Sequence, residues 1–254
     1  MRAMELVAPD LYRRHPKVIM GFSDSTVSLL QGFTSGLSTF YGPSVMAGFS
    51  QIGALGPSFS QHVRDVLFGG AANLVYSPYP EWSDGYPDWA TESSVSAVTA
   101  PRINSGWRWL QGTEPTEGHL LGGSFEALEM LKGTRSWPGP TQWGGAILFL
   151  ETSHEKPSVE QFKRGIRNYG LQGVLSGIKA LLVGRPAGYT EEENVQLEAA
   201  VSQVVRQEFG LNDLVVVTRM DFGHTHPQWV LPLGGRTRID PVSRSMTLST
   251  PSVT

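Results

Sequence analysis

The feature that most limits the possible folds is a short apolar segment, a tight turn and a helix near the start of the chain. Residues 17–20 predict a buried strand, and the apolar residues after position 26 recur at helical spacing. Ser23 stands on the turn between them, within the sequence GFSDST. Such a turn can hold a serine hydroxyl at a strand end, as a nucleophile elbow does. Because Ser25 replaces the second glycine of that motif, an ordinary turn or capping serine is an open alternative.

Further along, short apolar segments alternate with helices that begin at capping sequences. Capping boxes that start at Ser58, Ser158 and Thr190 predict three helices. Helices that alternate with buried strands place the chain in the α/β class. The strands are predicted at residues 37–41, 73–76, 146–150, 178–183 and 214–218. The chain of 254 residues is long enough for two small domains.

A change of composition between residues 77 and 105 predicts a linker or long loop. This stretch contains four prolines, with Trp82 and Trp89 placed among acidic residues. It would separate an N-terminal domain, residues 1–76, from a C-terminal domain, residues 106–254. The two tryptophans either anchor the loop to the body or form a stacking wall over a ligand. In the C-terminal part, residues 107–110 and 118–121 predict a hairpin.

Charge and composition exclude several classes of protein. The net charge is −3 and no dense cluster of Lys and Arg occurs, so a nucleic-acid partner is not expected. There are no cysteines, which excludes disulfides, a thiolate metal site and a cysteine nucleophile. No apolar run is long enough to span a bilayer, so no membrane partner is expected. Residues 1–10 lack the apolar region of a signal peptide, and a cytoplasmic location is the default expectation.

Three polar residues follow predicted elements at positions where α/β folds build sites. They are Ser23, Glu151 and His224. A hydroxyl needs a base to act as a nucleophile near neutral pH, and imidazole suits that task. A carboxylate can in turn orient the imidazole, and the order Ser, acidic residue, His is that of α/β-hydrolases. Glu151 could equally be a surface carboxylate or a partner in helix capping.

The histidines allow another interpretation. His224 and His226 form a His-x-His pair that could bind a metal ion with Asp221 nearby. No third ligand is obvious and Pro227 indicates a loop, so no metal site is predicted. The other four histidines occupy positions typical of solvated or capping residues: His15, His62, His119 and His154.

Several of these motifs together resemble the LD-carboxypeptidase family, and most of all its branch of microcin C self-immunity proteins. The resemblance lies in GFSDST at 21–26, FYGP at 40–43, LLGGS at 120–124, LFLETS at 148–153, Gly223-His224 and LPLG at 231–234. The motifs run in the family's order, and the match extends from about Asp10 to Asp240.

The resemblance implies a cytoplasmic, homodimeric serine peptidase that needs no cofactor. Ser23 would be the nucleophile, His224 the general base and Glu151 the residue that orients it. The fold implied is a Rossmann-like or glutaminase-like N-terminal domain and a C-terminal α/β domain with small mixed β structure, with the active site at their interface. The backbone N–H of Asp24 would contribute to the oxyanion hole.

The implied substrates are amides next to a free carboxylate. They are the L,D-bond of a murein tetrapeptide, in peptidoglycan recycling, or an aminoacyl-nucleotide amide such as processed microcin C. Residues at the matching positions would contact the substrate: Phe22, Trp82, Trp89, Gly123 and Ser124. Ser124 stands where members often carry Asn, so the substrate stays open between these two.

One departure concerns the start of the chain. Family members carry a further α/β segment before the position of Asp10, with a glycine-rich loop near the oxyanion. From its absence here we expect a fragment or a poor catalyst, since one oxyanion donor is worth roughly 10²–10³ in turnover. The alternative class is a truncated, non-catalytic relative that binds a peptide or a nucleotide-like ligand.

Overall fold

The computed structural model describes residues 7–70 and 72–250. Six of the ten N-terminal residues that bear on cellular location therefore lie outside the described residues, as do the last four residues of the predicted C-terminal domain. The strands are β1 (Met20–Gly21), β2 (Phe40–Tyr41), β3 (Leu74–Tyr76), β4 (Glu81–Asp84), β5 (Arg102–Ile103), β6 (Arg108–Gln111), β7 (Thr116–Ser124), β8 (Ala146–Glu151), β9 (Ala180–Gly184), β10 (Val215–Met220), β11 (Thr225–His226), β12 (Leu231–Pro232), β13 (Arg236–Asp240) and β14 (Ser245–Leu248).

Among the described residues, one α-helix precedes β1 and the others lie in five of the intervals between the strands. The helices are α1 (Pro9–Arg14), α2 (Thr26–Thr34), α3 (Gly56–Leu67), α4 (Phe125–Leu131), α5 (Pro140–Trp143), α6 (Val159–Leu171), α7 (Val174–Gly177) and α8 (Glu191–Ser202), which continues as a π-helical segment, Gln203–Glu208. In the described part of the chain, no helix is both long enough and apolar enough to cross a membrane.

An eight-stranded mixed sheet forms the core of the described chain. Its order is β3-β14-β13-β7-β8-β9-β10-β6, and the segment β7 to β10 is parallel. All six residues of β8 are buried, as expected for a strand covered on both faces. The predicted α/β class is confirmed. Because β7 and β8 are parallel and in register, Ser124 and Glu151 lie side by side at their carboxyl ends.

Two small sheets connect strands from the first 103 residues to strands from the last thirty. In one, β1 pairs in parallel with β2, which pairs antiparallel with β12. In the other, β4 lies between β11 and β5. The turn that carries Ser23 and the segment that carries His224 are therefore both joined by backbone hydrogen bonds to strands from distant parts of the chain.

The structure corrects three local predictions. Ser58 does not cap α3, which begins at Gly56; Pro57 is favoured in the first turn, and it places Ser58 inside the helix. Strands β6 and β7 do not form a hairpin, because β6 pairs with β10 and β7 pairs with β8 and β13. Residues 77–105 are not wholly irregular, since they contain β4 and β5.

The division into domains at residues 76 and 105 stays a prediction. Strand β3, from the predicted N-terminal domain, pairs with β14 at the edge of the large sheet. The other two capping boxes, at Ser158 and Thr190, are confirmed with both of their hydrogen bonds.

Candidate active site

Ser23 lies on a strained turn between β1 and α2. Its φ is 58°, a conformation that non-glycine residues seldom adopt. A 3₁₀ turn, Ser23–Ser25, follows and leads directly into α2. The Thr26 hydroxyl donates a hydrogen bond to the Ser23 carbonyl at 2.7 Å, which holds the turn closed. The backbone N–H of Asp24 belongs to the first turn of this helical segment, where N–H groups have no acceptor within the helix.

Glu151 ends the buried strand β8 and is itself fully buried. Two glycines let neighbouring backbone approach its side chain. A Cβ atom on Gly223 would lie 2.5 Å from Glu151 Oε2, and one on Gly184 would lie 2.9 Å from Glu151 Cβ. The packing therefore confines the carboxylate to one position, and Glu151 is not the surface residue that the sequence left open.

His224 follows β10 and faces Glu151. Its Nδ1 lies 2.8 Å from Glu151 Oε2, and only 6% of the residue is exposed. With Nδ1–H donating to the carboxylate, Nε2 is the nitrogen left to accept a proton. Burial acts to lower the pKa of His224, but the charge and hydrogen bond of Glu151 outweigh it and raise the pKa above its usual value.

Tyr41 connects this pair to the serine turn. Its hydroxyl donates a short hydrogen bond to Glu151 Oε1 and accepts one from the Ser23 backbone N–H at 3.3 Å. Burial and the Glu151 charge raise the pKa of Tyr41 well above its usual value, so the phenol stays protonated and can donate. The ring of Phe22, next to Ser23, packs edge-on against His224 with centroids 4.8 Å apart. Hydrogen bonds and packing thus bring Ser23, Glu151 and His224 into one connected group.

Gly123 and Ser124 lie beside the serine turn. A Cβ on Gly123 would lie 2.4 Å from Thr26 Cγ2, so glycine allows β7 to touch the start of α2. The Ser124 backbone N–H donates to the Thr26 hydroxyl at 3.0 Å. Ser124 occupies the N-cap position of α4 without a side-chain cap; its hydroxyl donates to Glu126 instead.

The two tryptophans of the predicted loop have different surroundings. Trp89 packs on Tyr86 with centroids 4.9 Å apart, and Tyr86 in turn contacts the rings of His154 and His226. Two guanidinium groups lie near the ring of Trp82, that of Arg102 at 5.0 Å and that of Arg185 at 4.8 Å from the ring centroid. Trp89 therefore belongs to an aromatic cluster beside the candidate site, whereas the ring of Trp82 is engaged by cations.

Two histidines assigned to solvated or capping positions prove to have tertiary roles. His154 Nε2 lies 3.0 Å from Asp84 Oδ1, and its ring stands perpendicular to that of His224 at 5.6 Å. His62 is buried and accepts a hydrogen bond from the Val230 N–H; its burial lowers its pKa to about 4. Sequence spacing gave no signal for either contact. The motif FYGP contained Tyr41, but its link to Glu151 is visible only in three dimensions.

The alternative metal site is not assembled. The Asp221 carboxylate is occupied by Arg185 at 2.9 Å, by Asn104 and by the Trp107 indole N–H. Across residues 7–70 and 72–250, no group of three metal-ligating side chains comes together.

The structure is an α/β fold in which a buried His–Glu pair is linked through Tyr41 to a strained serine turn. Residues 117–239 match the model of the LD-carboxypeptidase C-terminal domain. The resemblance inferred from the sequence motifs is confirmed.

Individual relatives agree with this assignment. A putative carboxypeptidase of Vibrio cholerae is 28% identical over 90% of this chain and 65% of its own length. The microcin C7 self-immunity protein MccF of Escherichia coli is 27% identical over 89% of this chain and 63% of its own length. The chain thus spans a little under two thirds of the relatives it matches.

Solved structures share the fold. An MccF-like protein from Streptococcus pneumoniae in complex with AMP superposes with a TM-score of 0.76 at 25% identity, over 93% of this chain and 70% of that one. MccF in complex with aspartyl sulfamoyl adenosine gives a TM-score of 0.78 at 23% identity, over 99% of this chain and 72% of that one.

Proposed function

We propose that this protein is a serine-type amide hydrolase with Ser23 as nucleophile, His224 as general base and Glu151 as the residue that orients the base. The observation that carries the proposal is the 2.8 Å contact between His224 Nδ1 and Glu151 Oε2, tied through Tyr41 to the Ser23 turn. A carboxylate on Nδ1 selects the tautomer that a general base needs.

The reaction proceeds by acyl transfer. His224 Nε2 takes the Ser23 hydroxyl proton while Oγ attacks the amide carbonyl carbon, and the Asp24 N–H donates to the resulting oxyanion. The C–N bond then breaks, and His224 returns the proton to the leaving amine. Water, deprotonated by His224, attacks the Ser23 ester and releases the carboxylic acid. General acid–base help of this kind is worth roughly 10²–10⁴ in rate.

The proposed substrate is an amide next to a free carboxylate. An aminoacyl-nucleotide amide is favoured over a murein L,D-tetrapeptide, because Trp89 and Tyr86 offer an aromatic surface beside the site. The ligands of the two structurally similar proteins, AMP and aspartyl sulfamoyl adenosine, support the same preference. Phe22, Gly123 and Ser124 border the reacting group in this proposal, and Trp82 forms a wall further away.

Turnover of the two substrate classes tests the proposal. The 254-residue chain is incubated with each substrate, and the products are measured by mass spectrometry. We expect cleavage that Ser23→Ala and His224→Ala abolish and that Ser176→Ala, an exposed serine distant in sequence, preserves. Cleavage that survives in Ser23→Ala contradicts the proposal; tight binding of the nucleotide substrate without any cleavage indicates the non-catalytic relative.

Removal of metal ions distinguishes the proposed serine mechanism from a metallohydrolase. Treatment with EDTA should leave the rate unchanged, because the proposed mechanism uses only side chains and backbone N–H groups. A rate that EDTA abolishes and Zn²⁺ restores would favour the metallohydrolase based on His224 and His226.

The predicted cytoplasmic location and homodimer are part of this proposal. Light scattering of the purified chain at micromolar concentration should give twice the mass of 27.7 kDa. A mass equal to one chain at all concentrations contradicts the dimer without bearing on the chemistry.

A further inference from the structure

A cavity of about 260 Å³ lies between the start of α3, the strand β4 and the segment that follows His224. Most of its wall is apolar, formed by side chains that include Leu55, Pro57, Trp82 and Val98. Ligand pockets usually measure roughly 300–1,000 Å³, so this cavity suits a single ring-sized group rather than a whole substrate.

Among the polar residues that line the cavity, His226 is buried and, within the described residues, has unpaired ring nitrogens; Ser58 and Ser83 also line it. Only 2% of His226 is exposed, and neither Nδ1 nor Nε2 has a hydrogen-bond partner within the described part of the chain. The hydroxyl of Tyr79, which also lines the cavity, is buried without a partner in the same described range. Buried polar groups in native proteins are nearly always hydrogen-bonded, so these atoms are available to form hydrogen bonds with a ligand.

The surroundings keep His226 uncharged. Burial and the neighbouring His154 and His224 lower its pKa to about 4, while Asp84 acts in the opposite direction. Glu81 is the charged residue among those that line the cavity, and it is exposed at the rim. A neutral imidazole offers one N–H donor and one acceptor nitrogen. A complementary ligand must therefore supply both an acceptor and a donor, and an anion is disfavoured by Glu81.

Trp82 gives the cavity a fixed wall. Its ring is contacted by the guanidinium groups of Arg102 and Arg185, and Arg185 is itself paired with Asp221. A wall held in this way keeps its shape before a ligand arrives, which reduces the entropy lost on binding.

We propose that this cavity is a subsite for one neutral, ring-sized group that carries both a hydrogen-bond donor and an acceptor, such as an aromatic carboxamide or a nitrogen heterocycle, recognised by His226. The idea that this group is part of the substrate rests on the proposed function. In that case His226, two residues after the proposed base His224, would help to select the substrate. Binding in the cavity requires no catalysis.

Binding of small probes to the full chain with Ser23→Ala tests the subsite. Benzamide and adenine should bind, measured by calorimetry and by chemical-shift changes of the His226 ring in NMR spectra. Benzoate, which matches benzamide in shape but offers only acceptors and a charge, should bind about tenfold more weakly or worse. Equal binding of benzoate and benzamide overturns the proposal.

Variants locate the binding. His226→Ala should weaken the binding of benzamide and adenine by about tenfold or more, and His226→Gln should retain part of the affinity. His15→Ala, which replaces an exposed histidine, should leave the affinity for both probes unchanged. Leu55→Trp, which reduces the free volume of the cavity and keeps the His226 side chain, should block both probes even if His226→Ala fails to fold. Probes that bind Leu55→Trp as well as the parent chain contradict the subsite. If substrate cleavage fails while benzamide binds through His226, the proposed function is wrong and the subsite stands.

Discussion

Ser23 combines a strained backbone with several restraints that hold it. A residue at φ 58° costs of order 1–3 kcal/mol, and such strain persists only where the surroundings fix it. Here the Thr26 hydroxyl holds the carbonyl of Ser23 and the Tyr41 hydroxyl holds its N–H. The same Tyr41 touches Glu151, so one phenol couples the geometry of the proposed nucleophile to that of its charge partner.

Replacement of Tyr41 tests this coupling. Tyr41→Phe removes a donor from Glu151 and an acceptor from the Ser23 N–H, and a buried group left without its partner costs about 1–3 kcal/mol. We expect that loss in the free energy of unfolding in urea, together with a clear fall in turnover. The control is Tyr76→Phe, which removes another buried phenolic hydrogen bond, to the Val230 carbonyl. Tyr76→Phe should lower stability by a comparable amount and leave turnover unchanged. An equal fall in turnover in Tyr41→Phe and Tyr76→Phe would contradict the positioning role of Tyr41.

The raised pKa of His224 predicts how activity depends on pH. Only the neutral imidazole accepts a proton, so kcat/KM should rise with pH along a limb whose midpoint lies above the usual histidine value of about 6.5. Glu151→Gln removes the charge that raises this pKa, and we expect the limb to move to lower pH while kcat falls by about 10²–10⁴. A limb that does not move in Glu151→Gln contradicts the pairing.

The same shift predicts the pH dependence of stability. Because the folded-state pKa of His224 lies above the unfolded value, its protonation stabilises the fold. This contribution is fully present below about pH 6.5 and is lost as the pH rises through the folded pKa. The free energy of unfolding in urea, measured across this pH range, should fall more steeply with rising pH for the parent chain than for His224→Gln. The same dependence on pH in both proteins would contradict the assignment.

At the scale of elements, local sequence predicted much of the secondary structure and little of the strand pairing. The buried strand β8 and the capped helices α6 and α8 follow from apolar runs and from side chains that cap their own helix. The predicted hairpin at residues 107–121 is wrong because strand pairing depends on distant partners. Strand β6 pairs with β10, and β7 pairs with β8 and β13. Nothing within those fifteen residues encodes that choice.

The capping boxes allow a direct comparison of sequence and structure. Ser158→Ala and Thr190→Ala should each lower the free energy of unfolding by about 0.5–2 kcal/mol, because each removes an acceptor for an N–H in the first helical turn. Ser58→Ala should have almost no effect, because Ser58 lies inside α3 and caps nothing. Thermal or urea unfolding distinguishes the three. A loss at Ser58 as large as that at Ser158 would restore the sequence-based start of α3.

For the whole molecule, strand ends predicted which residues could meet, but not what surrounds them. Ser23, Glu151 and His224 were found because each follows a recognisable element. The link through Tyr41 and the Asp84–His154 pair depend on how β2 and β4 pack against segments more than sixty residues away. Such contacts leave no periodic trace in the sequence.

A buried network attaches residues 77–105 to the large sheet. Asp221 is fully buried, and its carboxylate accepts hydrogen bonds from the side chains of Arg185, Asn104 and Trp107. Asp221→Asn would leave Arg185 buried without a counter-charge, and breaking a buried pair costs about 3–5 kcal/mol. We expect this loss in urea unfolding, with faster proteolysis between residues 85 and 100. Arg236→Ala breaks the exposed pair between Arg236 and Glu117, which water and salt screen, and should lower stability far less. A similar loss for both variants would contradict the structural role of the network.

The central claim is that Ser23 is activated by a histidine that Glu151 orients. A fluorophosphonate probe reacts with such a serine and not with an ordinary one, and peptide mass spectrometry locates the adduct. The account predicts one adduct, on the peptide that contains Ser23, which disappears in His224→Ala and is strongly reduced in Glu151→Gln. An unmodified Ser23, or an adduct that forms equally well without His224, would contradict it.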